Sequence, residues 1–150
     1  MKITRHEKTL KNTLDKIVYL IQTYNTDTKK FKRFSIVQMF NFLAVTMKYI
    51  PDPKNHELVM RPKILLERRG GDCDDKTIFA VSWFIQKNIT TGFSIVSQDM
   101  GKQFHHIFPF YMKGKRQIDF DCTYPQNKIN ETKRWFKRKD FIIYRSKDNE

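Results

Sequence analysis

The chain has 150 residues and a formal net charge of +13, from 29 Lys and Arg against 16 Asp and Glu. Its 13 Phe, 6 Tyr and 2 Trp supply a core despite a mean hydropathy of −0.64, which excludes a disordered polyelectrolyte and suits a single domain over residues 1–150. No apolar run approaches the roughly 20 residues of a membrane span, and two cysteines make no disulfide framework, so a soluble, unprocessed chain in the cytoplasm is expected.

From Glu7 to Tyr24, Leu10, Leu14, Ile17, Val18, Ile21 and Tyr24 recur at steps of three and four, the face of an amphipathic helix. After a polar break at residues 25–30, a second helical pattern runs from Ser35, a good N-cap, to Tyr49, where Pro51-Asp52-Pro53 forces an end. Pro62 suits the first position of a short helix. Asp72 then caps a largely buried helix reaching about Lys87, and Thr91-Gly92 closes it. Beyond Gly92 the residues become aromatic and β-branched, predicting strands at 93–97, 104–112 and 116–121, and a fourth at 141–144. Helices first and an antiparallel sheet second define an α+β layout with one helix packed on the sheet.

The chemistry gathers at Gly70-Gly71-Asp72-Cys73-Asp74-Asp75-Lys76. A helix N-terminus, with unpaired N–H groups and the positive dipole end, lowers a thiol below its free value of about 8.5. Asp72, Asp74 and Asp75 oppose this, so a cationic histidine has to compensate. A hairpin supplies one. With a two-residue turn at Lys113-Gly114, His106 faces Asp121, and the carboxylate can hold one imidazole nitrogen while the other serves Cys73. A turn centred on Gly114 alone would instead oppose His106 to Cys122, and in either case His105 points to the other face. The Cys73 backbone N–H is the expected oxyanion donor, with Gln38 and Asn55 as side-chain alternatives.

Tyr49-Ile50-Pro51-Asp52-Pro53, the Gly71 to Lys76 block, His106 with its apolar strand, and Asp121-Cys122-Thr123 together resemble the transglutaminase-like cysteine peptidase superfamily, particularly its small bacterial and phage members, over residues 35 to 125. The resemblance implies a papain-like core, with Cys73 as nucleophile, His106 as general base and acid, and Asp121 as orienting carboxylate. No cofactor or metal is called for. Two departures stand out: Cys122 occupies a position that is often proline, and Pro109 in the histidine strand suggests an edge or a bulge.

The reading is a cysteine-dependent amide hydrolase acting on a peptide or peptidoglycan-type amide, with transglutaminase-type cross-linking as the variant in which an amine replaces water. A first rival is a catalytically silent virion or nucleic-acid-associated protein, located in the virion if phage-encoded. It draws on the basic clusters at 29–33, 68–69 and 133–139, the last containing Trp135 and Phe136, against the bland alternative that both rings are buried. A second rival is a metal site at Cys73, His105, His106, Asp119 and Asp121, disfavoured because adjacent strand histidines point apart.

Overall fold

Helix α1 (Arg5–Tyr24) leads into a 3₁₀ turn over Asn25–Phe31. The computed structural model describes residues 5–53, 58–100, 103–131 and 133–148, with side chains from residue 9 onward. Ile17 and Ile21 are buried in one apolar cluster with Ile78 and Val81, so the periodic face read from the sequence is the packed face. At the foot of the helix the Arg61 guanidinium lies 3.9 Å from the Tyr24 ring centre and forks onto Asp27 at 2.9 and 2.8 Å.

Ser35 caps α2 (Ile36–Asn41) through a reciprocal box: the Gln38 N–H donates to the Ser35 hydroxyl, and the Ser35 N–H to the Gln38 side-chain oxygen. The helix then widens into a π turn over Phe42–Thr46, and the chain leaves as strand β1 (Lys48–Tyr49). The expected helix to Tyr49 is therefore shorter. The cause is distant in sequence: β1 pairs in parallel with β2 (Gly70–Gly71), the Lys48 and Ile50 N–H groups donating to the Arg69 and Gly71 carbonyls. Gly70 permits this approach, since a Cβ there would lie 2.4 Å from the Lys48 carbonyl oxygen. Pro62 opens α3 (Pro62–Arg68) as expected, and Arg69 closes it in the left-handed region at φ 60°.

Helix α4 (Cys73–Gln86) is the centre of the molecule, buried from Asp75 to Phe84. Ile78 and Val81 face α1 and the sheet, while Phe79, Trp83 and Phe84 enter a second cluster with Met39 and Leu43 of the α2 segment. Each such large side chain contributes about 1.5–3 kcal/mol on burial. The helix ends at Gln86, and Asn88 makes the reversal at φ 57°; Thr91-Gly92 begins the next strand rather than closing the helix.

The four-stranded antiparallel sheet has the order β5-β4-β3-β6, with β3 at Thr91–Ser97, β4 at His106–Lys113, β5 at Arg116–Asp119 and β6 at Lys137–Tyr144. This is the α+β layout. The hairpin differs from its expected register: the turn residues are Gly114 and Lys115, with Lys113 opposite Arg116 and Phe110 opposite Asp119. Gly114 at φ +64° takes the first central position, where a tight hairpin turn uses positive φ. The slip displaces each partner by two residues, an even number, so His106 and Asp121 still share a face. Pro109 lies in an interior strand, not an edge. Its carbonyl accepts from the Phe120 N–H at the end of the β4/β5 ladder, so the missing proline donor falls where pairing stops. Among the described residues no helix is long and apolar enough to cross a membrane.

Candidate active site

The Asp72 carboxylate caps α4 by accepting from the Asp74 and Asp75 N–H groups at 3.1 and 3.3 Å, and Asp75 returns the bond to the Asp72 N–H at 3.0 Å. Asp75 also accepts from the Met60 N–H at 3.1 Å. This lattice fixes Cys73 at the first turn. Because β5 stops at Asp119, the outer edge of β4 near its start has no strand neighbour, and the Cys73 sulfur lies there, accepting from the Ile107 N–H. Cys73 and His106 line one cavity.

His106 Nε2 meets Asp121 Oδ2 at 2.8 Å. The Thr123 hydroxyl and N–H both reach Asp121 Oδ1, at 2.7 and 3.3 Å, which is what the Asp-x-Thr spacing accomplishes. Burial raises the Asp121 carboxyl, but the bonds from His106 and Thr123 outweigh it and hold the group below the usual carboxylate range. With Asp121 ionised, Nε2 of a neutral imidazole carries the proton and the lone pair falls on Nδ1. Asp119 is engaged elsewhere, forked by Arg138 at 2.9 and 2.7 Å, so it takes no part in this pair. His105 borders the same cavity but is exposed.

The thiol departs from expectation. Burial, then the Asp74 and Asp72 carboxylates, push it well above its ordinary value, and the Ile107 N–H offsets only part of this. Asp74 Oδ1 stands 3.9 Å from the sulfur. Burial and the charge of Asp75 in turn push the Asp72 carboxyl up to about 8. The helix dipole is thus outweighed, and the resting group is a thiol. Its alkylation by iodoacetamide is expected to titrate above the range of a free cysteine, with Asp74→Asn moving the midpoint down; a midpoint below pH 7 in the unliganded protein would contradict this balance.

Three residues take places around the site that the sequence did not assign them. Lys76, 1% exposed, donates from Nζ to the Thr123 carbonyl at 2.8 Å and so ties α4 to the segment holding Asp121. Its signal was the lysine directly after the acidic cap, on the buried side of an apolar helix. Trp135 stacks on Phe108 at 5.9 Å between ring centres and stands 6.1 Å from the His106 ring, half-buried, while Phe136 is 52% exposed. The two aromatics of the basic cluster therefore have different fates. Tyr49, opposite Gly71 in the parallel pair, packs on Tyr124 at 5.0 Å and flanks the turn that opens α4.

No family model, curated protein or solved structure matches this chain. The site therefore stands on its own geometry. Gln38 is exposed and does not line the Cys73 cavity, and Asn55 lies outside the described residues. The five-residue metal grouping does not converge, Asp119 being held by Arg138. Among the described residues, Asp52, Asp72 and Asp74 bring carboxylate oxygens within 4.8 Å of one another.

Proposed function

We propose that the protein is a cysteine-dependent amide hydrolase with a transglutaminase-like, papain-like core, using Cys73, His106 and Asp121. The observation that carries the reading is that His106, held by Asp121 at 2.8 Å, lines the same cavity as Cys73. A buried carboxylate, an imidazole it orients and a thiol at a helix N-terminus form a nucleophile, base and orienter set.

Because the resting group is a thiol, His106 removes its proton as the sulfur attacks the amide carbonyl, rather than holding a preformed thiolate. The carbonyl oxygen gains charge beside the Cys73 backbone N–H, since the Asp74 and Asp75 N–H groups of that turn are taken by Asp72. The C–N bond then breaks, His106 returns the proton to the leaving amine, and the acyl group remains on sulfur as a thioester. Water, deprotonated by His106, attacks the thioester and restores the thiol. A peptide or peptidoglycan-type amide is the proposed substrate class, and an amine in place of water would give cross-linking by the same steps.

The test incubates the protein with peptide and peptidoglycan-type amides and follows both released amine and the intact mass of the protein. Turnover with a transient acyl adduct on Cys73, lost in Cys73→Ala, is the expected result. A Cys73→Ala protein that turns over amides at the wild-type rate would end the proposal. The second reading, a silent polyanion-binding protein, draws on the +13 charge and the exposed lysines of β6. It predicts salt-sensitive binding to nucleic acid that is indifferent to Cys73→Ala, with no acyl adduct.

A further inference from the structure

The cavity beside Cys73 encloses about 400 Å³, room for more than one side chain. Beside the polar Thr9, Thr13 and His105, an apolar wall lines it: Leu10 and Leu14 come from α1, Ile95 from β3, and Phe104 from the segment before β4. A bare nucleophile site does not require such a wall. Residues of α1 from Thr9 to Ile17 build it, while the deeper Ile21 does the packing.

Charge is distributed unevenly around this cavity. At the Cys73 end stand the carboxylates of Asp72 and Asp74. At the Phe104 end, Lys137 and Lys139 of β6 hold their ammonium nitrogens 5.9 and 6.0 Å from the ring centre. They are alternate residues of one strand and so share a face. Arg138 between them, on the opposite face, is consumed by Asp119 and Asp140. Among the described residues neither Lys137 nor Lys139 has an ion-pair partner. Two cations without an ion-pair partner among the described residues, both over one aromatic wall, give the cleft a direction. An anionic group is drawn to the Phe104 end.

We propose that this cavity is the acyl-side subsite, taking a leucine-sized side chain next to the scissile carbonyl while Lys137 and Lys139 bind the carboxylate of an acidic residue preceding it. The inference rests on the hydrolase reading and names its substrate class: acidic, apolar acyl groups. The leucine side chain fills the Leu10, Leu14 and Phe104 wall, and the carboxylate sits at the mouth where water partly screens its attraction.

The experiment measures covalent labelling of Cys73 by three chloromethyl ketones, those of acetyl-aspartyl-leucine, acetyl-lysyl-leucine and acetyl-aspartyl-glycine, each rate divided by that of iodoacetamide. In each reaction a C–S bond forms, chloride leaves and the thiol proton passes to His106 or water. The aspartyl-leucine reagent is expected to react about tenfold faster than either of the others, and its advantage over the lysyl reagent to shrink at high salt. The exposed double substitution Lys137→Glu with Lys139→Glu should reverse the aspartyl-over-lysyl order, and Leu10→Asn should narrow the leucine-over-glycine ratio. Equal normalised rates for the three reagents, or an order untouched by the double substitution, would overturn the subsite. Selective labelling without any amide turnover would instead count against the hydrolase reading while leaving the subsite standing.

Discussion

His106→Ala is expected to lower amide turnover by roughly 10⁴-fold, whereas His105→Ala should stay within about threefold of wild type. The two residues are neighbours on the chain, and a general effect of imidazole near the cleft would treat them alike. Geometry separates them. His106 Nε2 is held by Asp121 at 2.8 Å, which orients its ring; His105 is exposed at the rim. Because the Cys73 thiol is held well above its ordinary value, a base is needed in every turnover, which makes the loss at His106 larger than in a site with a stable thiolate. Asp121→Asn should lose about 10²–10³-fold, since an amide can present its N–H to Nε2 and favour the wrong tautomer. Asp119→Asn should leave turnover nearly intact, because Asp119 serves Arg138. Steady-state kinetics on the four variants, with circular dichroism to confirm folding, decide the matter. Equal losses at His105 and His106 would remove His106 from the role of base.

Lys76 is expected to show a split between stability and activity. It is 1% exposed, and burial lowers the pKa of its ammonium while its Nζ holds the Thr123 carbonyl at 2.8 Å. Lys76→Ala removes the packed stem as well as the hydrogen bond, and should cost about 3 kcal/mol in chemical denaturation, a large share of a stability of ~5–15 kcal/mol. Lys76→Met keeps the volume and also ends the burial of a charge. Its stability should therefore lie within about 1 kcal/mol of wild type. Turnover by Lys76→Met should nevertheless fall by about tenfold, because Thr123, which donates twice to Asp121, is no longer tied to the nucleophile helix. Wild-type turnover by a stable Lys76→Met protein would show that the tether positions nothing.

The local signals and the long-range ones divided cleanly in this chain. The Ser35 and Asp72 caps, the Pro62 start and the buried face of α1 were legible because each depends on residues within about four positions of one another. The shared face of His106 and Asp121 was legible for a similar reason: side-chain alternation has period two, so a hairpin slip of two preserved it even though the expected register was wrong. Strand β6 was only half seen, since its first residues, Lys137-Arg138-Lys139-Asp140, carry charge and their strand state comes from pairing with β3.

By itself the sequence determined the α+β order, the seat of Cys73 at a capped helix start and the face shared by the imidazole and the carboxylate, because backbone geometry and short-range hydrogen bonding set all three. Tertiary structure alone decided where the second helix stopped, how far the thiol was raised, that Lys76 would be buried beneath the site, and that Trp135 would stack beside His106. Those outcomes depend on desolvation and on contacts between residues tens of positions apart, and neither has a period that a single chain displays.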